Sequence, residues 1–89
     1  MADMSLLTIT CTAGEVQPVE FNSKYNTIDI FNNTDGDLLI SKTGEFVNDG
    51  NVGYYVTIPS EVAYNNFYVH KTIYLKASNG GTITIAVRR

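Results

Sequence analysis

The sequence predicts an all-β fold, an antiparallel β-sandwich or small barrel of about eight short strands, of jelly-roll or Ig-like type. Three observations predict it. Residues that suit a pleated, half-buried surface dominate, with ten Thr, eight Val, eight Ile and ten Phe or Tyr. Apolar residues recur at every second position in most segments, which is the period of a strand. Turn-forming Gly, Asn, Asp and Pro separate those segments at intervals too short for crossover helices, which excludes a parallel α/β arrangement. A chain of 89 residues, 44% of them hydrophobic, forms one domain over 1–89. A core this small is near the lower limit of self-sufficiency, so support from a partner or from further copies is expected.

The elements follow in order. Residues 1–6 are a candidate extended N-terminal arm. Leu7, Ile9 and Cys11 share one face while Thr8, Thr10 and Thr12 share the other, giving a first strand with one wet side. Pro18 cannot donate to a ladder, so it marks the start of a second strand, or an edge position, leading to Val19 and Phe21. Residues 27–31 alternate with Ile28 and Ile30 inward. The Asn32–Asp37 segment supplies turn chemistry, and Leu38 to Ser41 form another apolar run, so 27–41 reads as a β-hairpin. Three glycines, two asparagines and an aspartate within 42–53 predict a surface loop. Alternation resumes over 54–58 and stops at Pro59. Residues 60–64 read as one helical turn capped by Ser60 or as an extended bend. Residues 67–70 and 73–77 are short strands, 78–81 a turn, and 82–87 the last strand. That final pair reads as a second hairpin, with Ile73, Leu75, Ile83, Ile85 and Val87 inward and Tyr74, Lys76, Thr82 and Thr84 outward.

Composition and motif spacing narrow the function. A net charge of −3, six basic residues and a pI of about 4.8 argue against a nucleic-acid binder, which needs a clustered positive face. Asp3 stands where a signal peptide carries positive charge, and no apolar run approaches the roughly 18 to 20 residues of a membrane span, so a soluble chain made in the cytoplasm is expected. The single Cys11 can form neither an intrachain disulfide nor a Cys-based zinc site and reads as a small buried hydrophobe. His70, the one histidine, has no positioned nucleophile beside it in the sequence and reads as a surface or interface residue. Asp35, Asp37 and Asp49 read as turn formers. The run from Asn33 to Asp37 resembles the opening of a helical calcium loop, but its sixth position is Leu38 and its twelfth Gly44, with Glu45 one place late. The helical motif fails, while a non-helical cation site using Asp35, Asp37 and Asp49 stays open. Asn32-Asn33-Thr34 is formally a glycosylation sequon, read as chance without an export signal. No catalytic set, metal site or cofactor is expected, and the chain reads as a non-enzyme.

The tyrosines are the most informative side chains. Tyr55, Tyr68 and Tyr74 fall out of phase with the inward Val, Ile and Leu positions, and with Tyr64 they are the candidate interface or ligand contacts. Three readings compete for these rings. They line a subunit or partner interface, they stack on sugars in a carbohydrate-binding module, or they pack against a second layer of the protein. The sugar reading would draw on Tyr54, Tyr55, Tyr64 or Tyr68 with Asn65 and Asn66 as hydrogen-bonding partners.

Several runs carry a family resemblance: 27–33 (TIDIFNN), 38–41 (LLIS), 55–59 (YVTIP), 71–77 (KTIYLKA) and 81–85 (GTITI). Over about residues 27–87 the chain resembles the small β-sandwich virion proteins of tailed bacteriophages, which decorate capsids or form the base of head fibres. The resemblance implies a non-enzymatic structural protein, made in the host cytoplasm and bound to the capsid exterior. Its implied partners are the major capsid protein or another virion protein, with no nucleic acid and no membrane. It further implies a homo-oligomer, a trimer favoured; many copies on a symmetric shell would hold by avidity, and the exposed, linker-like opening of residues 1–7 suggests strand addition to the partner as one attachment mode. A carbohydrate-binding β-sandwich module is the alternative.

Overall fold

The computed structural model describes residues 4–24, 26–49, 52–53 and 55–88. These residues form strands and no helix, in the order β1 (Met4–Cys11), β2 (Val16–Glu20), β3 (Asn26–Asn32), β4 (Leu38–Ser41), β5 (Asn48–Asp49), β6 (Val52–Gly53), β7 (Val56–Ile58), β8 (Ala63–Val69), β9 (Thr72–Ala77) and β10 (Gly81–Arg88). Eight of them make two four-stranded sheets, β1-β10-β3-β8 and β2-β9-β4-β7, and β5 pairs with β6 inside the long loop. All pairings are antiparallel.

The pairing is nested. β1 joins β10, β2 joins β9, β3 joins β8 and β4 joins β7, with successive pairs alternating between the sheets. The chain is thus a long ribbon, doubled back at the 42–55 loop and rolled up into two layers, which is the jelly roll. The two inner faces meet in one core. Ile28, Ile30, Ile83, Ile85 and Val87 come from the first sheet, and Val19, Leu38, Ile40, Ile58, Ile73 and Leu75 from the second. Each fully buried Ile or Leu of this kind contributes about 1.5–3 kcal/mol of burial.

The inward and outward phases predicted from alternation hold, but both predicted hairpins are corrected. β3 and β4 lie in different sheets, as do β9 and β10. The turns at 33–37 and 78–80 are therefore arches that carry the chain from one layer to the other. Turn-forming residues serve a hairpin or an arch equally well, and alternation fixes which face points inward without fixing which strand lies alongside. The partner is chosen by non-local packing: β3 pairs with β10 and β8, and β4 with β9 and β7.

Four arches gather at one end of the sandwich and are stitched together. Asn32, with no exposed surface, donates its amide to the carbonyls of Gly36 at 2.9 Å and Ile58 at 2.8 Å. Its Oδ1 accepts from the Thr34 amide at 2.9 Å and the Thr34 hydroxyl at 2.6 Å. Ser60 donates to the Thr34 carbonyl at 2.5 Å, and the Gly14 and Ser78 amides donate to Ala77 and Asp37. Gly80 has φ 73, and a Cβ there would come within 2.9 Å of the Ala13 nitrogen, so this arch requires glycine.

Three local details refine the sequence reading. Residues 60–61 form a turn, with Glu61 at φ 63, and no helix. Pro18 sits mid-strand in β2, an edge of the second sheet. Over Met4–Leu6 the candidate arm is part of β1, paired with Arg88, Val87 and Ala86; residues 1–3 lie outside the described residues.

Candidate functional site

The ladder registers define two outer faces. On β10, Thr82, Thr84, Ala86 and Arg88 alternate with the buried Ile83, Ile85 and Val87 and so point outward. Their ladder partners point the same way: Thr10, Thr8 and Leu6 on β1, Phe31, Asp29 and Thr27 on β3. Continuing across β3, Tyr68 stands opposite Thr27 and Ala63 opposite Phe31. The outer face of the first sheet is therefore a field of hydroxyls and small side chains set with three large apolar groups, Leu6 (70% exposed), Tyr68 (68%) and Phe31 (39%). Its charge is internally balanced. Arg88 pairs with Asp29 at 3.0 Å, the same carboxylate accepts the Asn66 amide at 2.9 Å, and Arg88 also donates to the Asn66 side chain. Asn33 reaches back onto this face to donate to Thr84 at 2.9 Å.

The outer face of the second sheet is covered by the chain itself over β4 and β9, while Val16, Pro18 and Glu20 on the edge strand β2 stay exposed. Ser41 ends β4, and its hydroxyl oxygen accepts the amides of Thr43 at 3.2 Å and Gly44 at 3.0 Å, turning the loop back over the sheet. Gly44, at φ 88, lies on the Tyr74 ring, where a Cβ would stand 3.5 Å from Cε2. Phe46 follows, its ring 6.4 Å from that of Tyr55 and 5.7 Å from the Lys76 ammonium. This places Ser41, an outward position by register with Tyr74, among the buried residues.

The four candidate tyrosines consequently do not form one site. Tyr68 is open on the first sheet. Tyr74 and Tyr55 are half-buried under or beside the 42–47 segment. Tyr64 is 39% exposed but stands opposite the inward Ile30 and meets Phe67 edge-on at 5.2 Å. A bulge causes this: the register shifts between Ile28 and Ile30, and Asn66 takes φ 57. The extra residue changes the parity of everything before it on β8. The Lys42 ammonium lies over the Phe67 ring, 4.9 Å from its centroid. Tyr54 lies outside the described residues. Of the two asparagines in the sugar reading, Asn66 is engaged by Arg88 and Asp29.

The remaining candidates lie apart from these faces or within the fold's own hydrogen bonding. Asn32 of the sequon is buried with both amide hydrogens in use, so the folded chain offers no acceptor there. Asp35 and Asp37 are exposed, the Asp49 side chain lies outside the described residues, and among the described residues no group of three or more His, Cys, Asp or Glu could hold a metal. His70 is exposed, and its carbonyl accepts the Asn26 amide at 3.1 Å. Cys11 is a buried free thiol whose pKa burial pushes above its ordinary 9.0.

Leu6 and Phe31, beside the tyrosines, are placed on the open face by parity. With Leu7, Ile9 and Cys11 inward, Leu6 faces out with Thr8 and Thr10; with Ile28 and Ile30 inward, Phe31 faces out with Asp29. Comparison of the chain with protein-family models, with curated proteins and with solved structures finds no match.

Proposed function

We propose that this chain is a non-enzymatic assembly protein that docks through the outer face of β1-β10-β3-β8 onto another protein, and that its setting is the exterior of a tailed-phage capsid. The observation that supports docking is the cluster of Leu6, Phe31 and Tyr68, open on a hydroxyl-rich sheet face, against the middle of the second sheet's outer face, where the chain lays residues 43–46 over Tyr74 and Ser41. Exposed aromatic and aliphatic anchors amid uncharged hydroxyls suit a protein surface better than a charged ligand. The capsid setting comes from the resemblance of residues 27–87. Under this reading each contact is modest, and the many copies on a symmetric shell supply the strength.

The test is location on the particle. An antibody against the chain, applied to density-purified phage particles from its source, is expected to label the capsid exterior. Phe31→Glu with Tyr68→Glu is expected to abolish rebinding of purified protein to stripped particles while leaving the melting temperature within a few degrees. Unlabelled particles, or rebinding unaffected by that pair, would refute the reading.

A further inference from the structure

We propose that β1 is the edge through which two copies of this chain join, antiparallel, into one continuous eight-stranded sheet. The inference goes beyond the capsid reading and stands whether or not a capsid is the partner. The two four-stranded sheets have four edge strands, β1, β8, β2 and β7, beside the two-residue strands β5 and β6 of the loop. Three are blunted in ways that stop another strand from adding. β2 carries Pro18 mid-strand and an exposed Glu20. β7 has three residues and runs into Pro59. β8 is broken by the bulge at Asn66. β1 has none of these devices. Its eight residues contain no Pro, Gly or charge, and its register to β10 is unbroken from Met4 to Cys11.

The occupant is a second copy because the strand is complementary to itself. A two-fold axis normal to the sheet pairs residues that share a face, so both copies present the same side. Centred on Thr8, it sets Leu7 against Ile9 of the other copy, twice, on the core side. On the outer side it sets Leu6 against Thr10, twice, with the two Thr8 residues facing each other. Leu7 and Ile9 are only half-buried in the monomer and Leu6 is 70% exposed, so this register packs β1's own partly open apolar groups against the second copy, while Phe31 on β3 and Tyr68 on β8, away from this edge, stay open for docking. On the core side β1 borders a cleft of about 200 Å³ lined by Ser5, Leu7, Glu20, Phe21, Asn22 and Val87, which continues the proposed seam. An uncharged edge lets two chains, each of net charge −3, meet without like charges in the ladder.

The register makes the proposal testable. Leu6 and Thr10 are exposed, and their partners within the chain, Ala86 and Thr82, carry no charge. The mass of the full chain is measured by light scattering over a range of concentrations for three proteins: wild type, Leu6→Lys with Thr10→Lys, and Leu6→Lys with Thr10→Glu. The wild type is expected to reach the mass of two copies. The double-lysine protein, with two Lys–Lys contacts across the seam, is expected to dimerise about tenfold or more weakly. The Lys/Glu protein, whose charges meet as opposites only in this register, is expected to dimerise as the wild type does. That rescue separates loss of pairing from loss of folding. A wild type that stays monomeric, one that forms trimers, a double-lysine protein of unchanged mass, or a Lys/Glu protein that stays monomeric would each overturn the proposal. Masses in solution involve no particle, so this failure is distinct from failure of the capsid reading.

Discussion

The two outer faces of the sandwich come from the same alternating pattern and differ in their middle strands. On the first sheet, outward Leu6, Phe31 and Tyr68 remain in solvent. On the second, outward Ser41 is buried and Tyr74 half-buried beneath residues 43–46. The strands do not make this difference; the connections do. The arches at one end are short and tied to one another through Asn32 and Thr34, which leaves no chain to spare for a face. The connection from β4 to β7 is long enough to fold back, and it falls on the second sheet because both of the strands it joins belong there. A period of two therefore says which side chains leave the core, and loop length decides which of those stay wet.

The comparison can be broken most forcefully at the core, where the two sheets should be equivalent. Ile85→Ala in the first sheet and Leu75→Ala in the second remove fully buried side chains, and each is expected to cost about 3–4 kcal/mol in denaturant unfolding. A large disparity between them would show that the sheets differ in their inner faces too. Next in size is the polar stitch between the layers. Asn32→Ala removes the buried partner of the Thr34 amide and the donor to the Ile58 carbonyl, while the Thr34 hydroxyl keeps the Gly36 carbonyl, and an expected loss of about 2–3 kcal/mol is checked by the same unfolding curves. Smaller again is the contrast between the faces themselves. Phe46→Ala unpacks Tyr55 and Lys76 and is expected to cost about 1 kcal/mol, whereas Phe31→Ala on the open face should cost less than about 0.5 kcal/mol. Equal costs, measured by thermal unfolding, would mean that the 42–47 segment is not bound to the sheet.

Much of the fold was legible in the sequence, because burial of one face imposes the two-residue period wherever a strand is regular. Ile28, Ile30, Ile73, Leu75, Ile83, Ile85 and Val87 are all inward as that period requires. Strand pairing was not legible at 27–41 or 73–87, since a turn such as Asn33–Asp37 fits a hairpin and an arch alike. The site was legible in part. Tyr68, Leu6 and Phe31 follow from parity alone. Tyr64 escaped because one bulge residue, Asn66, reverses parity without any mark beyond the tolerance of Asn for positive φ. The covering of Tyr74 escaped because it depends on where a glycine-rich loop comes to rest, which no period encodes. Asn32 read as turn chemistry, and its place at the centre of a buried network became visible only once Ile58 and Ser60 were brought beside it.

The smallest expected effect sharpens the comparison at the strand proposed as a seam. Cys11 lies on the inner side at the end of β1, opposite Gly81, and burial raises its pKa above the ordinary 9.0. Below about pH 9 the thiol is neutral in both folded and unfolded chains and its contribution to stability is fully present. As pH rises past that value the unfolded chain ionises first, so stability falls until the folded thiol ionises in turn. Cys11→Ala removes that component, and the difference between the wild-type and variant unfolding curves, taken at pH 8 and pH 10, isolates it. The same thiol times the opening of the edge, since only the exposed thiolate is alkylated. If alkylation under native conditions keeps pace with global unfolding, β1 is held as firmly as the core. If it runs ahead and slows as protein concentration rises, β1 frays in the single chain and is held down by a second copy. Fraying with no dependence on concentration would leave the edge open and count against the pairing of two β1 strands.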